Sequence, residues 1–130
     1  MIINIQTSHR TDMVDITDKI ERAVKETGIT TGIVHVYSMH TTAAITINEN
    51  ADHDVKTDIS NTLDKLIPWE DNYRHTEGNS AAHLKTSLIG TSELVPIANG
   101  KLIMGTWQGV FLCEFDGPRH RKVHLTFLKS

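Results

Sequence analysis

The chain has 130 residues, 38% of them hydrophobic and 22% charged, with a formal net charge of −3, which predicts one soluble domain over 1–130 with a single core. Its apolar runs are too short for a transmembrane helix of about 20 residues, and its net charge argues against a nucleic-acid partner. Because it has one cysteine, Cys113, and lacks a secretory signal, we expect a cytoplasmic protein with no disulfide and no membrane contact.

The expected secondary structure follows from two periodicities. Apolar residues three and four positions apart predict helices, as at Ile20, Ala23 and Val24, and β-branched segments predict strands. The expected elements are, in chain order, a strand around 3–5, a helix from Thr17 to Gly28, strands over 32–38 and 42–48, a helix from about Asp52 to Pro68, a loop over 69–80, a short helix from Ala81 to Gly90, and strands over 94–97, 101–104, 108–115 and 123–128.

This order of elements predicts the fold class. Strands and helices do not alternate regularly, and the C-terminal third is typical of an antiparallel meander. We therefore expect an α+β fold: one compact domain with a largely antiparallel or mixed β-sheet core and about three helices.

Several conspicuous residues have structural interpretations. Thr17 and Asp52 are expected to cap helices, and Trp107 is expected to fill the core. Cys113 lies on an apolar strand face, which predicts a buried, inert thiol. The basic run 119–122 follows a tight turn and is most simply a solvated tip, although it could attract an anionic substrate.

Histidine-bearing segments provide the chemical candidates. Whether Asn79 or Ser80 caps the short helix, His83 lies in its first turn, where the partial positive charge of the helix favours an uncharged imidazole. His75 and Glu77 precede it, and two imidazoles with a carboxylate predict a metal or acid–base site. The spacing matches no diagnostic zinc motif, so a solvated loop with one capping histidine is the alternative. His40 ends a strand, where a hydrogen-bonded surface histidine is the simpler interpretation.

Five sequence blocks follow one another in a distinctive order. They are His40–Ile45, Asn48–Asp52, His75–Asn79, Ala82–Lys85 and Gly105–Gly109. Together they resemble the YjbQ-like family, whose members are often described as secondary thiamine-phosphate synthases. The resemblance covers nearly the whole chain, and five blocks in one order make it specific.

The resemblance implies a homotrimer with its site near a subunit boundary. It also implies a transferase that joins a pyrimidine-methyl diphosphate to a thiazole phosphate with loss of pyrophosphate. The implied roles are catalysis for His40, His83 and Glu77, substrate binding for Thr41, Asn50, Asn79, Trp107 and Gln108, and binding of a divalent metal ion, zinc or magnesium, for His40, His75 and His83. The alternative is a non-enzymatic homotrimer that binds a small phosphorylated or anionic ligand, or a metal, without turnover.

Overall fold

The computed structural model describes residues 1–130 and contains eight strands and three helices. The strands form two sheets, a five-stranded one in the order β1-β8-β3-β5-β6 and a three-stranded one in the order β2-β7-β4, with every pair antiparallel. This confirms the α+β fold with three helices. The elements are β1 (Ile2–Gln6), β2 (Asp12–Asp15), α1 (Thr17–Thr27), β3 (Gly32–Ser38), β4 (Ala43–Glu49), α2 (His53–Leu66), α3 (Ser80–Ile89), β5 (Ser92–Ala98), β6 (Lys101–Leu102), β7 (Gln108–Glu114) and β8 (His120–Lys129).

The main core lies between the two sheets. Val34 and Val36 of β3 and Ile45 of β4 are fully buried there. Helix α1 adds Ile20 and Val24 to the same cluster, as its spacing of apolar residues predicts. The helix ends at Gly28 with a left-handed φ of 70°, which glycine adopts without steric cost.

A second cluster covers the outer face of the three-stranded sheet. Phe111, Cys113 and Phe115 of the β7 segment pack there with Leu63 of α2 and Ala82 of α3. Burial raises the pKa of the Cys113 thiol to about 12, which confirms the buried, inert cysteine. None of the helices is long and apolar enough to cross a membrane.

The outer face of the five-stranded sheet is exposed. Ile33, Tyr37, Leu94 and Leu128 are 37%, 42%, 60% and 60% accessible. Their positions in the register, with Ile33 opposite Leu128, place several of them side by side. This face of the sheet therefore exposes several apolar side chains, with His35, Thr126 and His124 between them.

The structure corrects three expectations. The C-terminal strands do not form one meander, because β7 joins the three-stranded sheet while β5, β6 and β8 belong to the other. Thr17 is not a cap: its N–H and hydroxyl donate to Asp15 Oδ1 at 2.9 and 2.6 Å, and Ile16 holds the cap position. Trp107 does not fill the core and is 62% exposed, since it lies in the turn before β7.

Candidate functional site

A polar cavity of about 700 Å³ lies where three connections meet: β3 to β4, α2 to α3, and β7 to β8. Apart from Pro118, every residue that lines it has a polar or charged side chain. The lining residues are His40, Thr41, Thr42, His75, Glu77, Asn79, His83, Asp116, Pro118, Arg119, His120 and Arg121. Such a lining suits a ligand that hydrogen-bonds extensively.

A buried ion pair forms part of the wall of this cavity. Arg121 is 2% exposed and Glu114 is fully buried; Arg121 Nε donates to Glu114 Oε1 at 2.8 Å, and Arg121 Nη2 also donates to Glu114. The same nitrogen donates to Thr42 Oγ1 at 2.9 Å, while Arg121 Nη1 has no hydrogen-bond partner within the chain. The pair thus holds a guanidinium at the cavity wall with one nitrogen available.

Hydrogen bonds from three groups hold Glu114 in its ionised state. Burial by itself would raise the pKa of Glu114, but hydrogen bonds from Arg121, Thr7 and the Asp116 amide, with the charge of Arg121, outweigh it and lower the pKa. The Thr7 hydroxyl donates to Glu114 Oε1 at 2.6 Å. A carboxylate with this many donors stays charged and does not act as a proton donor near neutral pH.

The ring of His40 is oriented by a backbone group. Its Nε2 accepts the Lys122 N–H at 2.8 Å, so the neutral ring carries its proton on Nδ1. Burial, followed by the charge of Arg121, lowers the pKa of His40, with Glu114 acting in the opposite direction. His40 is therefore an uncharged hydrogen-bond donor at the cavity wall.

The start of α3 forms another part of the cavity. Asn79 precedes the helix without capping it, and its Nδ2 donates to Asp116 Oδ2 at 2.9 Å. The Asn79 Oδ1 atom is buried without a partner. The rings of His75 and His83 meet edge to face with centroids 5.4 Å apart, and His75 Nε2 lies 3.8 Å from Glu77 Oε2.

Comparison with known proteins identifies the family. The family model described as "UPF0047 protein YjbQ-like" matches residues 1–130. The chain belongs to this family. UPF0047 protein YugU from Bacillus subtilis is 51% identical over 97% of this chain and 96% of its own, and UPF0047 protein MJ1081 from Methanocaldococcus jannaschii is 51% identical over 95% and 90%.

Solved structures of the UPF0047 family share the fold. An uncharacterised conserved protein of the family from Clostridium acetobutylicum superposes with a TM-score of 0.96 at 49% identity, covering 98% of this chain and 99% of its own. A YbjQ-like protein of unknown function from Sulfolobus solfataricus gives a TM-score of 0.95 at 34% identity over 100% and 96%. The resemblance noted in the sequence is thereby confirmed at the level of the family and its fold.

The structure brings most of the candidate residues of this UPF0047 chain together. His40, Thr41, His75, Glu77, Asn79 and His83 all line the polar cavity. Their assigned roles in catalysis, substrate binding and metal binding stay predictions.

Three candidates do not line the cavity: Asn50, Trp107 and Gln108. Strand β4 leads from the cavity to them and spans about 20 Å at 3.3 Å per residue, and its last residue pairs with Gln108. There the Asn50 N–H donates to the Trp107 carbonyl at 2.9 Å, and the Gly105 N–H donates to Gln108 Oε1 at 2.8 Å. These bonds shape a turn, which gives the sequence block over 105–109 a structural explanation.

The β7–β8 side of the cavity was not predicted from the sequence. The run 119–122 was expected to be most simply a solvated tip that could attract an anionic substrate, yet Arg121 is buried and both Arg119 and Arg121 line the cavity. The available signal was alternation: in β8, Arg121 shares the parity of Val123 and Leu125, which face the core. An arginine at a core position predicts a buried partner, and here that partner is Glu114.

The side chains do not fit a metal ion held by one chain. No group of three or more His, Cys, Asp or Glu side chains is placed to share an ion. His40, one of the three expected ligands, already uses Nε2 to accept the Lys122 N–H. The divalent metal stays a prediction.

Proposed function

We propose that the polar cavity binds the phosphate of a small organic phosphate and that its histidines act on that ligand. The observation that carries this proposal is the uncapped start of α3 at a cavity lined by polar side chains. The first N–H groups of a helix lack acceptors within it and carry partial positive charge, which favours an anion. Arg121 adds a nearby donor whose position is fixed by Glu114.

The proposed chemistry uses hydrogen bonding and proton transfer. His40 donates from Nδ1 to a phosphate oxygen, where it stabilises charge that develops on a leaving group. His83 and Glu77, which also line the cavity, are the candidates for the acid and the base. Thr41 and Asn79 position the substrate.

The specific reaction that we propose is the one that the family resemblance implies, thiamine-phosphate synthesis. The bond between the pyrimidine methylene carbon and the diphosphate oxygen breaks, pyrophosphate leaves with the electron pair, and the thiazole nitrogen forms the new C–N bond. Any magnesium ion enters with the diphosphate as part of the substrate.

The test is product formation from the two phosphorylated precursors with added Mg²⁺ or Zn²⁺. Wild type is compared with His40→Ala and His83→Ala, and with His9→Ala as a control for a surface histidine outside the cavity. We expect turnover in wild type and His9→Ala and a loss of at least about 100-fold in both cavity variants, in the range of general acid–base catalysis. Turnover that persists unchanged in both cavity variants would contradict the site.

A binding protein without turnover is the second candidate, and the paired arginines favour it. Arg119 bonds to Asp116 at 3.0 Å and Arg121 bonds to Glu114, so the cavity has little uncompensated positive charge to stabilise a transition state. Phosphate binding without product formation, measured by calorimetry on the same preparations, would favour this candidate.

We also propose that the protein is a cytoplasmic homotrimer. The exposed apolar side chains Ile33, Tyr37, Leu94 and Leu128 on the five-stranded sheet support self-association, and a buried lone Cys113 suits a reducing compartment. Sedimentation equilibrium of wild type and Leu94→Asp tests the assembly: we expect a trimer that dissociates in the variant. A wild-type monomer would contradict it.

A further inference from the structure

A second cavity, of about 220 Å³, lies between α2 and the outer face of the three-stranded sheet. It shares no lining residue with the polar cavity. None of the residues around it is exposed. It is therefore a separate, largely enclosed space within the second cluster of apolar residues.

The sequence of β4 explains why space remains under α2. Successive residues of a strand face opposite sides of the sheet, so Ile45 faces the main core while Ala44 and Thr46 face α2. Leu63 is the only buried residue of α2. Small side chains on the strand and one buried side chain from the helix leave a gap between the two layers.

The wall of this cavity combines an apolar floor with a polar rim. Its buried residues, Met13, Leu63, Cys113 and Phe115, are all apolar. Its polar residues, such as Asn48 and Ser60, are all half-buried. The polar groups therefore lie on the side of the cavity that is nearer to solvent.

An apolar floor favours an occupant with an apolar body. An unfilled gap costs the surrounding side chains their dispersion contacts, and water is a poor filler because each molecule needs about two to four polar partners. An engineered apolar cavity of about 150 Å³ takes up benzene. The cavity under α2, at about 220 Å³, accommodates one aromatic ring with a small substituent.

The rim determines the charge of that occupant. Asn48 Oδ1 accepts the Glu49 N–H at 2.7 Å, which leaves the Asn48 Nδ2 group to donate to a ligand oxygen. Asp12 is the only charged residue of the lining, and its carboxylate repels an anion. A cation would lose its water for a carboxylate that His9 already approaches at 3.8 Å, so an uncharged group fits best.

We propose that the cavity under α2 binds a small, uncharged aromatic molecule with one hydroxyl or carbonyl group. The ring lies on the apolar floor, and the oxygen accepts a hydrogen bond from Asn48 at the rim. The inference is independent of the proposed function, because the two cavities have no lining residue in common.

Nuclear magnetic resonance of the full chain, with its methionine methyl groups labelled with carbon-13, tests the site. Met13 lines the cavity, whereas Met104 packs against the main core. The added molecules are benzyl alcohol and phenylacetate, which share a ring and differ in charge. The variant is Ser60→Leu, which fills the cavity, and the control is Thr62→Leu at an exposed position of the same helix.

We expect benzyl alcohol to shift the Met13 methyl signal until it saturates and to leave the Met104 signal unchanged. Phenylacetate should bind at least about tenfold more weakly, because its charge would be buried near Asp12. Ser60→Leu should weaken benzyl alcohol binding by at least about tenfold, since leucine occupies the space of the ring. Thr62→Leu should bind as wild type does.

The wild-type titration decides the proposal even if a variant fails to fold. A Met13 signal that does not respond to benzyl alcohol, or that shifts only together with Met104, would overturn the site. Equal affinities in Ser60→Leu and Thr62→Leu would overturn it as well. Equal affinities for phenylacetate and benzyl alcohol would overturn the assignment of an uncharged occupant. Each of these outcomes leaves the phosphate proposal for the polar cavity standing.

Discussion

The starts of α2 and α3 show how differently one chain treats two similar helix ends. At α2 the Asp52 carboxylate accepts the Asp54 N–H at 2.9 Å, and Asp54 adds negative charge to the first turn. At α3 the cap residue Asn79 makes no capping bond, and the first turn has no acidic residue. Both helices need acceptors for their first N–H groups, but only α2 has a side chain that provides one.

The difference between the two helix starts indicates where a ligand can bind. The side-chain cap of α2 serves stability, whereas α3 leaves amide donors and partial positive charge beside the polar cavity. Asn79 is tied instead to Asp116, whose own amide donates to Glu114 at 3.1 Å. The open helix start is thereby connected to the buried ion pair.

The largest expected effect comes from removing the buried Arg121–Glu114 ion pair. Arg121→Met leaves the Glu114 carboxylate buried without its countercharge, which should cost about 3–5 kcal/mol in the free energy of unfolding. Arg119→Met is the matched control, because the Arg119–Asp116 pair is half exposed and such pairs contribute about 0–1 kcal/mol. Urea unfolding measures both, and equal losses would contradict the expected difference between the buried pair and the exposed pair.

An added phosphate should distinguish the two helix starts directly. At about ten times its Kd, phosphate should stabilise wild type by about 1.4 kcal/mol. Ser80→Asp makes the first turn of α3 acidic, as in α2, and should abolish this gain through repulsion, while Ser80→Ala should retain it. Melting curves with and without phosphate test this, and a gain that survives in Ser80→Asp would place the anion elsewhere.

Removing the α2 cap gives the next effect. Asp52→Ala should lower the free energy of unfolding by about 1 kcal/mol, because the Asp54 N–H loses its acceptor. Asp58→Ala makes the same charge change within the same helix, where no capping bond exists, and serves as the control. Chemical denaturation should show a larger loss in the free energy of unfolding for Asp52→Ala than for Asp58→Ala. Equal losses would contradict the stabilising role of the cap.

The smallest effect concerns pH. Because burial and the Arg121 charge lower the pKa of His40 below 6.5, the unfolded chain takes up a proton at this residue before the folded chain does. The contribution of His40 to the free energy of unfolding is therefore fully present above about pH 6.5. It is lost as the pH falls through the lowered pKa of the folded state. Unfolding at pH 7.5 and 5.5 should show a larger acid-induced loss in wild type than in His40→Gln. Identical losses would mean that His40 does not titrate as its surroundings indicate.

Much of the fold was accessible from local patterns. The stripe on α1, the left-handed Gly28 and the Asp52 cap each depend on residues within a few positions of one another. The four-residue β2 was missed because only Met13 in it is buried, which leaves almost no alternation to detect.

The candidate site was predicted in part for the same reason. His75, Glu77, Asn79 and His83 are close in sequence, and their shared location follows from one loop and one helix. The opposite wall depends on Glu114, which bonds to Thr7 across 107 positions. Pairings of that range arise only when the sheets assemble, so no local pattern contains them.

The hydrogen bond that orients His40 has a consequence for genetics. Its donor is the backbone N–H of Lys122, and every residue except proline supplies that same group at this position. A scan of side-chain replacements at position 122 would report the loss of an exposed charge and leave the ring orientation untouched. Most substitutions at position 122 thus keep the hydrogen bond that orients the imidazole. Only proline or an amide-to-ester exchange would remove its donor.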